Sequence, residues 1–228
     1  MMTETSLDTP RSILRLIWIP AIISLGVTLL RLTGELRQWS ERWFSRETGG
    51  TDPHGMSWLI GITWLAVPFG IYFALRLARV GLGPRSVGRA ALFGILGLAL
   101  IFCSRFLFVL FPGHFPKILI PLWLCWVAAA ALQFFGWPSL SRTLLAYGLA
   151  ARIPVAVVMF FAMLGNWGTH YDYVGMPPQF SMPPVPKYLW LALFPQLVAW
   201  VAYTVVVGTL AGVVALAIVR PRTIATRV

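Results

Sequence analysis

Six long runs of apolar residues constrain the fold of this chain more than any other feature. A helix needs about 20 consecutive apolar residues to cross the roughly 30 Å hydrocarbon core of a bilayer. The runs lie near residues 13–30, 58–77, 90–111, 118–137, 144–166 and 196–219. The chain is 58% hydrophobic and only 11% charged, whereas soluble domains carry about 25% charged residues. We therefore predict an all-α, polytopic transmembrane helical bundle with about six spans, forming a single integral membrane domain over residues 1–228.

Two of the apolar runs raise a question at their ends. Arg11 and Arg15 precede the first run, as in a signal peptide, but no small-residue cleavage motif follows it, so we expect a retained anchor. The last apolar stretch begins at Tyr188 and is longer than one span requires. Because proline lacks an amide hydrogen and its ring clashes with the preceding turn, we expect Pro195 to break the helix. Residues 188–194 would then form an interfacial lead-in to the last span.

Arginine is distributed unevenly between the two sets of loops. One set carries arginines at positions 11, 15, 76, 79, 85, 89, 142, 220, 222 and 227, whereas the other set balances its basic residues with acids. Because loops rich in lysine and arginine remain in the cytoplasm, both termini are predicted to be cytoplasmic. The abundance of arginine, glycine and proline favours a bacterial inner (plasma) membrane. The formal charge of +11 indicates contact with anionic lipids and does not point to nucleic acid as a partner.

The first outer loop contains a short amphipathic pattern near residues 35–46. Leu36, Trp39 and Trp43 would share one face of a helix. Tryptophan is typical of the boundary between lipid and water. We therefore predict an interfacial helix that anchors this loop, with a lid over a central cavity as the alternative.

Two arginines lie inside predicted spans, Arg105 in the third and Arg152 in the fifth. A central arginine costs about 2.5–3.5 kcal/mol on insertion scales, whereas each large aliphatic residue returns only about 0.3–0.6 kcal/mol. Helical spacing places small residues on the same stripe as each arginine, and small residues mark contacts between membrane helices. These stripe residues are Gly94, Gly97 and Ile101 for Arg105, and Gly148 and Ala156 for Arg152. Both arginines are therefore predicted to face the bundle interior.

The sequence does not decide which groups pair with these two arginines. No predicted span contains an aspartate or glutamate. Arg105 would be nearest to Asp172 or Asp52 on the outer side. Candidate acceptors for Arg152 are the carbonyl of Ala150, freed by Pro154, and the side chains of Tyr147, Gln133, Gln196 and Tyr203. Each arginine could brace helices or reach to headgroups, or it could recognise an anion such as a lipid phosphate or a carboxylate.

Polar residues also gather in the predicted outer loops. This possible cluster consists of His54, His114, His170, Asp172 and Asn166. Imidazole and carboxylate groups suit a transition metal or acid–base chemistry. However, the chain has no HExxH, no histidine pair at i,i+4 and no CxxC, so no metal site and no cofactor are predicted. The alternative is structural: the segment from Gly165 ends the fifth span and continues as an extended, proline-rich connection.

The remaining motifs are few. Gly208-x-x-x-Gly212 predicts a close-packing face within the bundle. Cys103 and Cys125 lie in apolar runs and are expected to be buried and unpaired. A nucleophile elbow, a phosphate-binding loop and paired intramembrane aspartates are all missing from the sequence.

Three functions follow from these observations, in order of preference. The first is a non-enzymatic accessory or scaffold component that binds partner helices of other membrane subunits or lipids. The second is a small carrier or receptor for an anionic solute or lipid, with Arg105 and Arg152 as anchors. The third is a metal-dependent enzyme on the outer face that uses His114, His170 and Asp172.

Overall fold

A computed structural model describes residues 10–46, 56–113, 115–173 and 182–225, and every regular element within these ranges is helical. The α-helices are α1 Pro10–Leu36, α2 Ala66–Arg79, α3 Val87–Ser104, α4 Phe106–Leu110, α5 Leu119–Gly136, α6 Pro138–Gly165, α7 Pro184–Lys187 and α8 Trp200–Ala225. Three short 3-10 turns occupy Ser57–Ile60, Thr63–Leu65 and His170–Asp172, and π-helical turns occupy Tyr188–Leu193 and Pro195–Ala199.

Five helical segments within the described residues are long and apolar enough to cross a membrane. They are Ser12–Leu36, Val87–Leu110, Leu119–Gly136, Pro138–Gly165 and Pro184–Val219. The predicted span near residues 58–77 is not among them, because its first half forms two 3-10 turns and only α2 is α-helical. Pro68 stands in the first turn of α2, where the missing amide does not interrupt a helical hydrogen bond.

The last span departs from prediction in a different way. Pro195 does not end the helix, and residues 184–219 are helical throughout. The π-helical turns on both sides of Pro195 widen the backbone, and such turns absorb the missing hydrogen bond of a proline. The expected separate lead-in at residues 188–194 is therefore part of one long helical segment.

The predicted interfacial helix near residues 35–46 is not found. α1 continues to Leu36, Gln38 has a positive φ of 53°, and residues 41–43 form a turn. The reason is local packing: the Phe44 ring lies directly on Gly34 and contacts Trp39 edge-on, with 5.2 Å between ring centroids. This contact folds the chain back over the end of α1.

α8 lies at the centre of the bundle and packs against α2, α3, α5 and α6, with α2 as its most extensive partner. A methyl group added at Gly70 of α2 would lie 2.5 Å from Gly208 Cα of α8. Gly212 lies in the same way against Ala74. The predicted close-packing face of the glycine pair is thus confirmed as a contact between helices of one chain.

The two cysteines are free, as predicted, but they are not buried. Cys103 is exposed and Cys125 is half-buried. Both lie on helices whose outer faces carry large apolar side chains, such as Phe102 and Leu124.

Candidate functional site

Arg152 lies near the middle of α6 and is only 5% exposed. Its Nη2 donates to Thr63 Oγ1 at 3.1 Å, and its Nη1 donates to Gln196 Oε1 at 3.2 Å. The guanidinium carbon lies 5.0 Å from the centroid of the Trp200 ring, a distance suited to a cation–π contact. One side chain therefore connects α6 with the 3-10 turn before α2, the π-helical turn after Pro195 and the start of α8.

The acceptors of Arg152 were predicted in part. Gln196 is confirmed, and a contact of its Nε2 with Met159 Sδ at 3.5 Å turns its oxygen toward the arginine. Tyr147 instead shares a hydrogen bond with Ser24 Oγ at 2.8 Å. Gln133 donates to the carbonyl oxygens of Phe93 on α3 and of Ala129 on its own helix.

Thr63 and Trp200 were missed as neighbours of Arg152. Thr63 is a polar residue within an apolar run, which was the available signal for a buried contact. Only tertiary packing brings it to α6. The described acids, Glu35, Glu41 and Asp172, all bind other partners. Arg152 is therefore held by neutral oxygens and an aromatic ring in the described part of the chain.

Arg105 does not face the bundle interior, which corrects the prediction from its stripe. Ile101 is buried as expected, but α3 ends at Ser104 and the Arg105 side chain is exposed. Ser104 Oγ donates to the Ile101 carbonyl at 2.7 Å and accepts from Trp126 Nε1 at 3.1 Å. α3 ends at this contact, and the burial of this face stops at Ser104, although the backbone of Arg105 remains helical. Arg105 and Arg152 consequently do not form one site.

The 3-10 turn at residues 170–172 is built around Asp172. One carboxylate oxygen of Asp172 accepts from the Thr169 amide at 2.7 Å and from Thr169 Oγ1 at 2.9 Å. The other accepts from the Gly168 amide at 3.0 Å. Lys187 Nζ donates to the Asp172 carbonyl oxygen at 2.8 Å, which ties this turn to α7. The carboxylate thus holds its own turn together.

Glu35, at the end of α1, contacts His170 in the same turn. It is 2% exposed, and its Oε1 accepts from Arg31 Nε at 2.8 Å. The His170 amide donates to Glu35 Oε2 at 3.0 Å, and His170 Nδ1 lies 2.6 Å from Glu35 Oε1. These contacts fasten the segment after α6 to α1. Glu35 was missed because it was assigned to the outer loop; its i,i+4 spacing from Arg31 was the signal that α1 extends to it.

The electrostatics of this turn follow from its burial. Burial lowers the pKa of His170 below its ordinary value, and the nearby Glu35 carboxylate only partly opposes that effect. Burial also raises the pKa of Tyr173 to about 12. The lowered pKa favours the neutral imidazole near pH 7.

The predicted outer cluster is brought together only in part. His170 and Asp172 share one turn, whereas Asn166 is exposed and ends α6 in the left-handed conformation, with a φ of 47°. The end of α6 at Gly165 agrees with the structural alternative, but its extended connection is not found in the described part of the segment, where residues 170–172 and 184–187 form short helical turns. Residues 174–181 lie outside the described residues. His54 and His114 lie outside the described residues. Within the described ranges, no three residues of the His, Cys, Asp or Glu types form a group that could hold a metal ion.

A groove lies where the start of α1 meets the end of α2. This groove has a volume of about 320 Å³ and is lined by Arg15 from α1 and by Arg76 and Arg79 from α2. We call it the arginine groove. Leu16 and Leu77 form its apolar floor.

These features define a helical protein of the membrane type, with buried ionic groups that connect its helices and an arginine-lined groove at one end. Comparison with protein-family models, with curated proteins and with solved structures found no match.

Proposed function

We propose that the protein is a non-enzymatic accessory or scaffold component of a bacterial inner membrane that binds lipids and helices of other membrane subunits. This proposal depends on one observation: the buried charged side chains form hydrogen bonds within the protein. Arg152, Asp172 and Glu35 each form hydrogen bonds that join separate segments or complete a turn. Groups held in this way stabilise one arrangement of the helices, and they support a function located on the outer surface of the bundle.

The position of α2 supports six membrane crossings. A methyl group at Gly61, just before α2, would lie 3.5 Å from Arg31 Nη1 near the outer end of α1. At the other end, Arg76 and Arg79 line the same groove as Arg15. Arg15 and Arg31 are about 24 Å apart along α1 at 1.5 Å per residue. Residues 61–79 thus run antiparallel to α1 over most of the roughly 30 Å hydrocarbon thickness, although α2 alone has only 14 residues.

The distribution of arginine supports an orientation with both termini in the cytoplasm. Arg15, Arg76, Arg79, Arg85 and Arg89 would all lie on the cytoplasmic side and are all exposed. Glu35 and the turn at residues 170–172 would lie near the opposite surface.

A purification experiment tests the function. The full chain is extracted from its native membrane in a mild detergent, and retained lipids and proteins are identified by native mass spectrometry. We expect a stoichiometric partner chain or retained lipid, and we expect Arg152→Met and Glu35→Gln to lower the melting temperature without changing what is retained. If either variant loses its bound partner at an unchanged melting temperature, the buried charges bind ligand and the proposal is wrong.

One observation favours a second function, a receptor or carrier for an anion. Arg152 has no carboxylate partner among the described residues, and a guanidinium group has five N–H donors. In this function, an oxyanion would replace Thr63 or Gln196 as an acceptor. It predicts that inorganic phosphate or acetate raises the melting temperature of the wild-type chain but not of Arg152→Gln. Equal responses of the two proteins would exclude this site.

A further inference from the structure

The arginine groove combines a strongly basic rim with an apolar floor. Arg15, Arg76 and Arg79 are all exposed at the rim, and Leu77 below them is only 3% exposed. Tyr72 adds a phenol to the wall. The volume of about 320 Å³ lies at the lower end of the range of about 300–1,000 Å³ for ligand sites. The groove is thus large enough for a small polar group but too small for a folded partner.

We propose that the arginine groove binds the phosphate headgroup of an anionic phospholipid. This inference rests on the proposed function and names one binding site for it. Three arginines line the groove, and within the described ranges no aspartate or glutamate pairs with them. Like charges at such a site repel one another, and a bound anion removes that repulsion. Guanidinium groups also match the oxygens of a phosphate in a bidentate geometry.

The position of the groove selects a lipid over a soluble phosphate. Arg15 stands in the second turn of α1, and Arg76 and Arg79 stand in the last turn of α2, so the groove lies where two apolar helices leave the bilayer. Basic sites between helix ends on the cytoplasmic side suit the headgroups of anionic lipids. The apolar floor formed by Leu16 and Leu77 offers contact to the glycerol and upper acyl carbons. A free phosphate ion would use only the rim.

The test compares two variants with equal loss of charge. The full chain in detergent is titrated with dioleoylphosphatidylglycerol or dioleoylphosphatidylcholine, and binding is measured by native mass spectrometry and by the melting temperature. Arg76→Gln/Arg79→Gln removes part of the groove. Arg85→Gln/Arg89→Gln removes the same charge from the next segment, outside the groove. All four side chains are exposed, so both variants are expected to fold, and the single variant Arg15→Gln repeats the test from α1.

We expect the glycerol lipid, but not the choline lipid, to raise the melting temperature of the wild-type chain. The groove variant should weaken binding of the glycerol lipid by about tenfold or more, and the control by less than about threefold. Equal losses in the two variants would indicate diffuse attraction and overturn the site while leaving the proposed function intact. Competition by glycerol 3-phosphate at the same concentration as the lipid would identify a soluble ligand and also overturn it.

The acidic residues near the N-terminus are the remaining candidates to occupy the arginine groove. Glu4 and Asp8 precede the described residues and carry the opposite charge. If they fill the groove, Glu4→Gln/Asp8→Asn will lower the melting temperature as much as the groove variant does, and neither lipid will change it. That result would overturn the lipid site. If no lipid and no partner chain is retained under any condition, the proposed function fails together with this inference.

Discussion

Single polar residues decide how the apolar helices of this protein are held together. Arg152 joins three other segments through Thr63, Gln196 and Trp200. Along α1, Ser24 meets Tyr147, and the carbonyl of Thr28 accepts from Tyr171 at 3.2 Å. The hydrophobic effect does not drive helices together in a bilayer, because lipid tails are equally apolar, so close packing and hydrogen bonds between helices hold the bundle. The hydrogen bonds help to select one register.

The contact between Arg152 and Thr63 can be measured with a double-mutant cycle. We expect Thr63→Val, Arg152→Met and the double variant to give a coupling free energy of about 0.6 kcal/mol, and up to about 1.7 kcal/mol. The reason is that each single change removes one partner of the same hydrogen bond. Reversible unfolding in mixed detergent micelles supplies the free energies. Thr33→Val serves as the matched control, since Thr33 is exposed and its hydroxyl donates to the Leu29 carbonyl of the same helix. Coupling as large for Thr33 as for Thr63 would contradict the assignment.

His170 predicts a loss of stability in mild acid. Its pKa is lowered by burial, so the unfolded chain binds a proton at a higher pH than the folded chain does. The charged groups that act on it are Glu35, Arg31 and Asp172. Stability should therefore be complete above the ordinary histidine pKa of about 6.5 and should decrease as the pH falls below that value.

Melting temperatures measured from pH 8 to pH 5 test this expectation. Both proteins carry His54→Gln and His114→Gln, so that His170 is the only titrating histidine. The chain with His170 should lose stability across this range, and the chain with His170→Gln should lose less. Parallel curves would show that His170 does not contribute.

The sequence predicted one partner of Arg152 and missed another, although both are distant in the chain. Gln196 was predicted as an acceptor because few polar side chains occur in the apolar runs. Thr63 was missed because only packing brings it to Arg152. The contact of Glu35 with His170 was missed for the same reason, whereas its pair with Arg31 is local. Arg105 shows the converse error. Its helical stripe was assigned correctly as far as Ile101, but the end of α3 at Ser104 cannot be deduced from spacing alone.

At the level of elements, the sequence predicted apolar spans better than it predicted their internal geometry. The runs near residues 13–30, 90–111, 118–137 and 144–166 each correspond to a long helix. The two errors within the spans both lie near a proline. α2 begins only at Ala66, two residues before Pro68, and the last span continues through π-helical turns at Pro195. Whether a proline ends a helix depends on how the neighbouring helices pack around it. For α2, most of these packing contacts come from α8.

The contact between α2 and α8 predicts a position-specific cost for a single methyl group. Gly70→Ala should destabilise the protein by about 1–3 kcal/mol, because the added carbon would overlap the Gly208 backbone and separate two helices. Gly26→Ala is the matched control: Gly26 is in α1, and an added methyl group there meets nothing within 4 Å. Unfolding in mixed micelles measures both. Similar values for the two variants would refute the close contact.

For the whole molecule, the central question is whether residues 57–79 cross the bilayer. Six crossings place the turn after α1 and the loop before α3 on opposite sides of the membrane. Glu41→Cys should then react with an impermeant maleimide on intact spheroplasts, and Arg85→Cys should react only after permeabilisation. Cys103→Ser and Cys125→Ser remove the native thiols. Labelling of both positions from the same side would show that this segment does not cross.

The pairing of α2 with α8 also sets an order of events during synthesis. About 120 residues separate the end of α2 from the start of α8, and ribosomes add roughly 5–20 residues per second. If residues 57–79 cross the bilayer, the face of α2 around Gly70 is therefore in the membrane for about 6–24 s before its partner has been made. During that interval, this face of the short helix is in contact with lipid or with other proteins of the membrane. Truncated products of this gene would accordingly be targets for membrane proteases, even when every preceding helix has been inserted.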